Sequence, residues 1–226
     1  MTALFAFPER AHFGERLNRD KLFRQAGGSK AIRALYEQQV DRIDWAFKLF
    51  QKTVNLPPSN DVAEINVFRV TLRSSALDDR VLAHFDKAIP QRTWFELIRN
   101  SPDGPEVQAA AAYKRRSDAE RTQMVTLEHV RSCWTPATAE RTALPPAISL
   151  EGLYTAMLRA LWPHGPRAGE SLRAQAERLS NAYAQAKAVS RLTVQVRRER
   201  DYAAQIDRNR ELRAAQAAWK DLTDTA

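Results

Sequence analysis

The sequence predicts an α+β domain, a largely antiparallel sheet packed with helices, followed by a long C-terminal helical, coiled-coil-like arm. Three observations carry this expectation. Hydrophobic period switches between two and 3.6 along the first two thirds of the chain. Pro and Gly punctuate that part at 27–28, 57–58, 101–105, 145–146 and 163–169, and neither occurs after Gly169. The remainder is built from Ala, Arg, Gln, Glu and Leu, all good helix formers. The expected division is therefore a domain over residues 1–166 and a basic arm over 167–226.

The elements follow in order. Residues 18–26 read as a short helix stopped by Gly27-Gly28, and Ser29 caps a second with Ile32, Leu35 and Tyr36 on one face. Over 42–50, Ile43, Trp45, Phe47 and Leu49 alternate with Arg42, Asp44, Ala46 and Lys48, as in a half-buried strand. A second strand covers 64–73. Its apolar register shifts from Ile65 and Val67 to Phe68, Val70 and Leu72, which calls for a bulge or burial on both faces. Leu77, Val81, Phe85 and Ala88 form a helical stripe with Asp78 and Asp79 at its positive end, and Pro90 closes it. Residues 93–98 and 107–114 flank a Ser-Pro-Asp-Gly-Pro turn as a hairpin, and a further strand falls within 123–134. Ser149 opens an amphipathic helix through Leu150, Leu153, Tyr154, Met157, Leu158, Leu161 and Trp162.

In the arm, Leu172, Leu179 and Ala186 are seven apart, with Ala176 and Tyr183 between them; Val189, Leu192 and Val196 continue one residue out of register. Ile206, Leu212 and Trp219 extend the stripe weakly. One helix of about 50 residues would reach roughly 75 Å. A hairpin turning at 198–201 fits equally well. So narrow a stripe calls for packing on itself or on another chain, and Leu172, Leu179, Tyr183, Leu192 and Val196 are the candidate partner contacts.

The 35 Lys and Arg against 27 Asp and Glu give a net charge of +8. That balance suits contact with polyanions, or simply an Arg-rich solvated surface. Candidate phosphate contacts are Lys114, Arg115, Arg116 and Arg121, beside Tyr113, together with Arg197, Arg198 and Arg200 in the arm. A solvated loop is the alternative for the first cluster. The single cysteine, Cys133, forbids an internal disulfide and is expected to be a buried thiol in a reducing compartment, the cytoplasm. No apolar run approaches the roughly 18–20 residues needed to span a bilayer, and the start of the chain lacks the features of a signal peptide.

Catalytic signatures are sparse. The four histidines lie far apart in sequence and the one cysteine cannot furnish a closed zinc site, so neither metal nor cofactor is expected. Gly27-Gly28-Ser29-Lys30 lacks the earlier glycine of a phosphate loop. The remaining constellation is Asp86, Glu96 and Lys114. Two acids to hold a divalent cation, with a lysine near the attacking water, is the chemistry of a metal-dependent nuclease. The acid expected two residues before the lysine is Ala112 here, which breaks the pattern. A cross-strand Glu96–Lys114 ion pair is the structural alternative.

Several strings together carry a resemblance: Leu4-Phe5-Ala6-Phe7-Pro8, residues 43–49 running into Asn55-Leu56-Pro57, Glu64-Ile65-Asn66-Val67-Phe68, Asp86-Lys87-Ala88-Ile89-Pro90, Phe95-Glu96-Leu97 and Ala111-Ala112-Tyr113-Lys114. Over nearly its whole length the chain resembles an uncharacterised bacterial family, domain-of-unknown-function family 4391. The resemblance implies no activity. Members are often encoded beside helicases and DNA methyltransferases, which implies an accessory subunit of a modification, restriction or phage-defence machine with such a protein as partner. A self-associating protein without DNA contact remains open.

Overall fold

The computed structural model describes residues 3–120 and 123–224. It divides into two compact units, Met1–Trp162 and Pro163–Ala226, the boundary falling at the start of the Pro- and Gly-containing stretch.

The first unit is a mixed sheet with helices. Two short N-terminal strands, β1 (Phe5–Ala6) and β2 (His12–Arg16), precede the helices α1 (Arg19–Ala26) and α2 (Lys30–Gln39). Next come β3 (Val40–Leu49), a single turn α3 (Gln51–Val54), β4 (Ile65–Leu72), α4 (Asp79–Ala88), β5 (Arg92–Ser101) and β6 (Gly104–Ala111). Short strands β7 (Lys114–Arg116), β8 (Met124–Thr126), β9 (Val130–Arg131), β10 (Thr135–Pro136) and β11 (Thr142–Ala143) follow, then α5 (Leu150–Leu161). The main sheet runs β10-β6-β5-β4-β3-β2, with β9 also on β6. Every pairing in it is antiparallel except β4–β5, which is parallel. A parallel pair needs a crossover, and α4 supplies it.

Capping follows the sequence closely. Asn18, Ser29, Asp78 and Ser149 each accept a backbone N–H of the helix they precede. Gly27, at φ 77°, takes the left-handed conformation that separates α1 from the cap of α2. The glycine-rich segment is thus a helix stop and start.

β3 departs from simple alternation for a definite reason. Trp45 pairs with Phe68 and Phe47 with Val67, so Ala46 is an extra residue, a bulge. It turns Ile43 and Trp45 to the helix-covered face and Phe47 and Leu49 to the other. β4 is buried on both faces, as a central strand is. The helix-covered face packs Leu22, Tyr36, Val81, Phe85, Phe68 and Phe95 into one core. Phe85 meets Phe95 edge-on at 5.1 Å. The expected strand over 123–134 is instead β8 and β9, and 107–114 is broken after Ala111.

The second unit is a helical hairpin, α6 (Leu172–Arg198) and α7 (Tyr202–Thr223). The turn has neither Gly nor Pro. Glu199 Oε1 accepts the N–H groups of Arg200 and Asp201, and Asp201 caps α7 by accepting Ala204 N–H at 2.8 Å. Two side-chain caps do here what a glycine commonly does. Among the described residues no helix is long and apolar enough to cross a membrane.

Candidate functional site

Asp86, in the last turn of α4, has no exposed surface on its side chain, and neither has Lys114 at the start of β7. Their charged atoms lie 2.8 Å apart. Thr93 Oγ1 donates to Asp86 Oδ1 at 2.5 Å. His129 Nε2 lies 2.8 Å from Asp86 Oδ2 and donates to it, since an ionised carboxylate can only accept. Lys114 Nζ also donates to Ile89 O and Gln91 O, each at 2.8 Å. Its three N–H groups are therefore all spent. Burial pushes the Asp86 carboxyl up, but the Lys114 ammonium and the His129 hydrogen bond outweigh it and hold it below the ordinary value.

Glu96 lies elsewhere. It is three residues from Thr93 on β5, so the pleat points it to the opposite face of the sheet. There Arg69 Nε donates to Glu96 Oε2 at 2.8 Å and Arg141 Nη1 to Oε1. The Glu96–Lys114 cross-strand pair is thus replaced by two separate ones. Glu96 sits opposite Ala109 in the register, and the chain leaves the hairpin before Lys114. Asp86, Glu96 and Lys114 do not share a site for a cation. Among the described residues no three His, Cys, Asp or Glu side chains come together as a metal site would need. The arrangement holds two buried carboxylates in separate hydrogen-bonding cages, each oxygen accepting from at least one donor, on opposite faces of the sheet.

The predicted basic cluster is divided as well. Lys114 is buried and cannot reach a phosphate. Arg115 is half-buried and binds Asp118 at 3.1 Å; Arg116 is exposed and lies 3.3 Å from Asp61. Arg121 falls outside the described residues. Arg197, Arg198 and Arg200 are all exposed, at the turn of the hairpin.

The predicted partner stripe is largely covered. Leu179 and Leu192 are buried, and Leu172, Tyr183 and Val196 are half-buried. Among the described residues of the hairpin, the large apolar side chains left in solvent are others: Val194, Tyr202, Ile206 and Trp219. The first three flank the turn, and Tyr202 is 77% exposed.

Cys133 is exposed and free, contrary to the expectation of a buried thiol. It follows β9 on a segment at the margin of the sheet, where Trp134 turns inward instead and packs under Arg99 at 4.1 Å. Stoichiometric labelling of the native protein by a maleimide within minutes is the expected result. Labelling only after denaturant is added would contradict this placement.

Sequence reasoning missed Thr93, His129, Arg69 and Arg141. The two cages join residues 45 and 43 positions apart, Glu96 to Arg141 and Asp86 to His129, and no local spacing announces such pairs.

A model of the domain of unknown function DUF4391 matches residues 5–218. The chain belongs to this family. The DUF4391 match takes in the sheet, both carboxylate cages and nearly all of the hairpin, so the arm is part of the family's own architecture. No curated protein and no solved structure matches the sequence.

Proposed function

We propose that this DUF4391 protein is a non-catalytic accessory subunit, working in the cytoplasm within a bacterial DNA-modification, restriction or phage-defence machine. The turn of its helical hairpin docks on a helicase or DNA methyltransferase, and its arginines contact DNA. The observation that carries the reading is the composition of that turn. Val194, Tyr202 and Ile206 stand in solvent beside the exposed Arg197, Arg198 and Arg200. Tyrosine and arginine are residue types enriched in protein interfaces, and the exposed valine and isoleucine add apolar area that a partner can bury. The same guanidinium groups suit phosphates. Asp86 and Glu96 are each buried and ion-paired on opposite faces of the sheet, which favours binding over the metal-dependent nuclease reading. The helicase or methyltransferase as partner rests on the family resemblance.

Affinity capture of the full-length protein, expressed with a helicase and a methyltransferase encoded beside it, tests the reading. Recovery of one of them is expected, and its loss in the Val194→Glu/Ile206→Glu variant. DNA affinity should fall as salt rises, with the log–log slope reduced by about 0.9 for each phosphate-contacting arginine changed to glutamine. A protein that captures neither neighbour and binds DNA independently of salt and of these arginines would end the proposal. Capture of a second copy of itself, lost in the same variant, would mark a self-associating protein instead.

A further inference from the structure

A cavity of about 730 Å³ opens on the helix-covered face of the sheet, between α1, the C-terminal end of α4 and the ends of β3 and β4. That size is within the range of small-molecule sites. Trp45, Lys48 and Asn66 on its wall belong to two rows that cross the sheet. Across the sheet, the aromatic row Trp45–Phe68–Phe95 gives way to a polar row, Lys48–Asn66–Thr93. The bulge at Ala46 is what brings Trp45 and Lys48 to the same face. An apolar core has no use for a polar row, and this one is incompletely satisfied.

Thr93 is committed to Asp86, and Lys48 to Glu64 at 2.7 Å. Asn66 Nδ2 donates to Glu64 Oε1 at 3.0 Å, which fixes the orientation of the amide and leaves Oδ1 as an acceptor. Asn66 is 1% exposed, and its Oδ1 has no hydrogen-bond partner. Trp45 Nε1, on the same cavity wall, is a buried donor without one. Unpartnered buried polar atoms are costly, and an acceptor and a donor on two residues that line one cavity suit a ligand offering the complementary pair. Around the mouth, Arg16 and Lys21 are exposed cations, of which Glu15 offsets one.

We propose that this cavity binds a nucleotide: a planar base with a donor for Asn66 Oδ1 and an acceptor for Trp45 Nε1, and a phosphate toward Arg16 and Lys21. Both residues line the cavity, and the proposal requires the side-chain adjustments usual on binding to turn the two buried atoms into it. The same chemistry is offered by a free mononucleotide and by a nucleotide of a single strand.

Titration calorimetry of the full-length protein with the common 5′-mononucleotides, their nucleosides and a short single-stranded DNA tests this. Saturable binding of a mononucleotide would assign the cavity to a free nucleotide. Binding of the oligonucleotide alone would assign it to a nucleotide within a strand, provided that the variants below weaken it. Asn66→Ala and Trp45→Phe should each weaken binding about tenfold, the loss of one hydrogen bond in a closed site. Arg16→Gln/Lys21→Gln, on the surface and harmless to folding, should bring nucleotide affinity down to that of the nucleoside. The proposal is overturned if no ligand in the panel saturates, or if binding survives Asn66→Ala, Trp45→Phe and the double glutamine variant unchanged.

Discussion

Lys114→Ala is expected to cost about 3–5 kcal/mol of folding stability, the usual penalty for removing one partner of a buried ion pair. The reason lies in what remains. Asp86 would keep Thr93 and His129 as donors but lose the one fixed positive charge that faces it, and Ile89 O and Gln91 O would lose the donor they share. A domain with about 5–15 kcal/mol in total would be close to its limit. Asp86→Asn/Lys114→Met, which removes both charges and keeps the volume, should recover the part of the loss that comes from the unpaired charge, while Ile89 O and Gln91 O stay without their donor. Urea denaturation of the three proteins measures this, and a loss under about 1 kcal/mol in Lys114→Ala would mean that the pair does not form. The pH dependence has a definite sign. A carboxyl held below its ordinary value stabilises the fold above roughly pH 4, where the unfolded side chain is ionised too. That stability is lost as pH falls below this range through the folded value, and Asp86→Asn/Lys114→Met should lack this component.

The contrast between Lys114 and the elements around it shows what the sequence makes legible. Caps are local chemistry, a side-chain oxygen two or three residues from the N–H it accepts: Ser29 and Ser149 were legible as helix starts, whereas Asn18 was not singled out and Asp78, expected in the first turn of α4, is its cap. The hairpin at 101–104 is local for the same reason. The bulge at Ala46 is not, because alternation of Ile43, Trp45, Phe47 and Leu49 is compatible with an unbroken strand, and only pairing with β4 reveals the extra residue. The candidate site was legible by half: Asp86 and Lys114 were singled out together and do meet, whereas Glu96 lies on the other face. Their role is set by partners that no spacing rule links to them, His129 for one and Arg141 for the other. A charged residue in a strand pattern reads as a solvated one until its burial is known, and Lys114 has no exposed surface at all.

Arg178→Ala is expected to open the helical hairpin at its base, at a cost of about 3 kcal/mol or more. Arg178 is the buried guanidinium of the second unit. Its Nε and Nη2 fork onto the two oxygens of Glu170 at 2.7 and 2.8 Å. Nη1 donates to Leu222 O at 2.8 Å and Nη2 also to Gly165 O at 2.9 Å. Leu222 O is among the last carbonyls of α7, which have no partner within their own helix, so Arg178 caps α7 from α6. Arg167 does the same for Asp221 O and Asp224 O from the segment before α6. Arg178→Lys should not restore stability, because an ammonium cannot fork onto Glu170 while also reaching two carbonyls. Hydrogen exchange reads the result residue by residue: protection should fall first in the last turn of α7, then along the hairpin. Hydrogen bonds from Arg178 bring the Glu170 carboxyl from 4.5 to about 2. The clamp therefore stabilises the hairpin fully above pH 4.5 and releases it as pH falls toward about 2. Unchanged protection of α7 in Arg178→Ala would show that apolar packing alone holds the hairpin closed. Loosening at the base that also abolished partner capture would tie the rigidity of the arm to its docking, since an ordered surface binds without the entropy cost of being ordered.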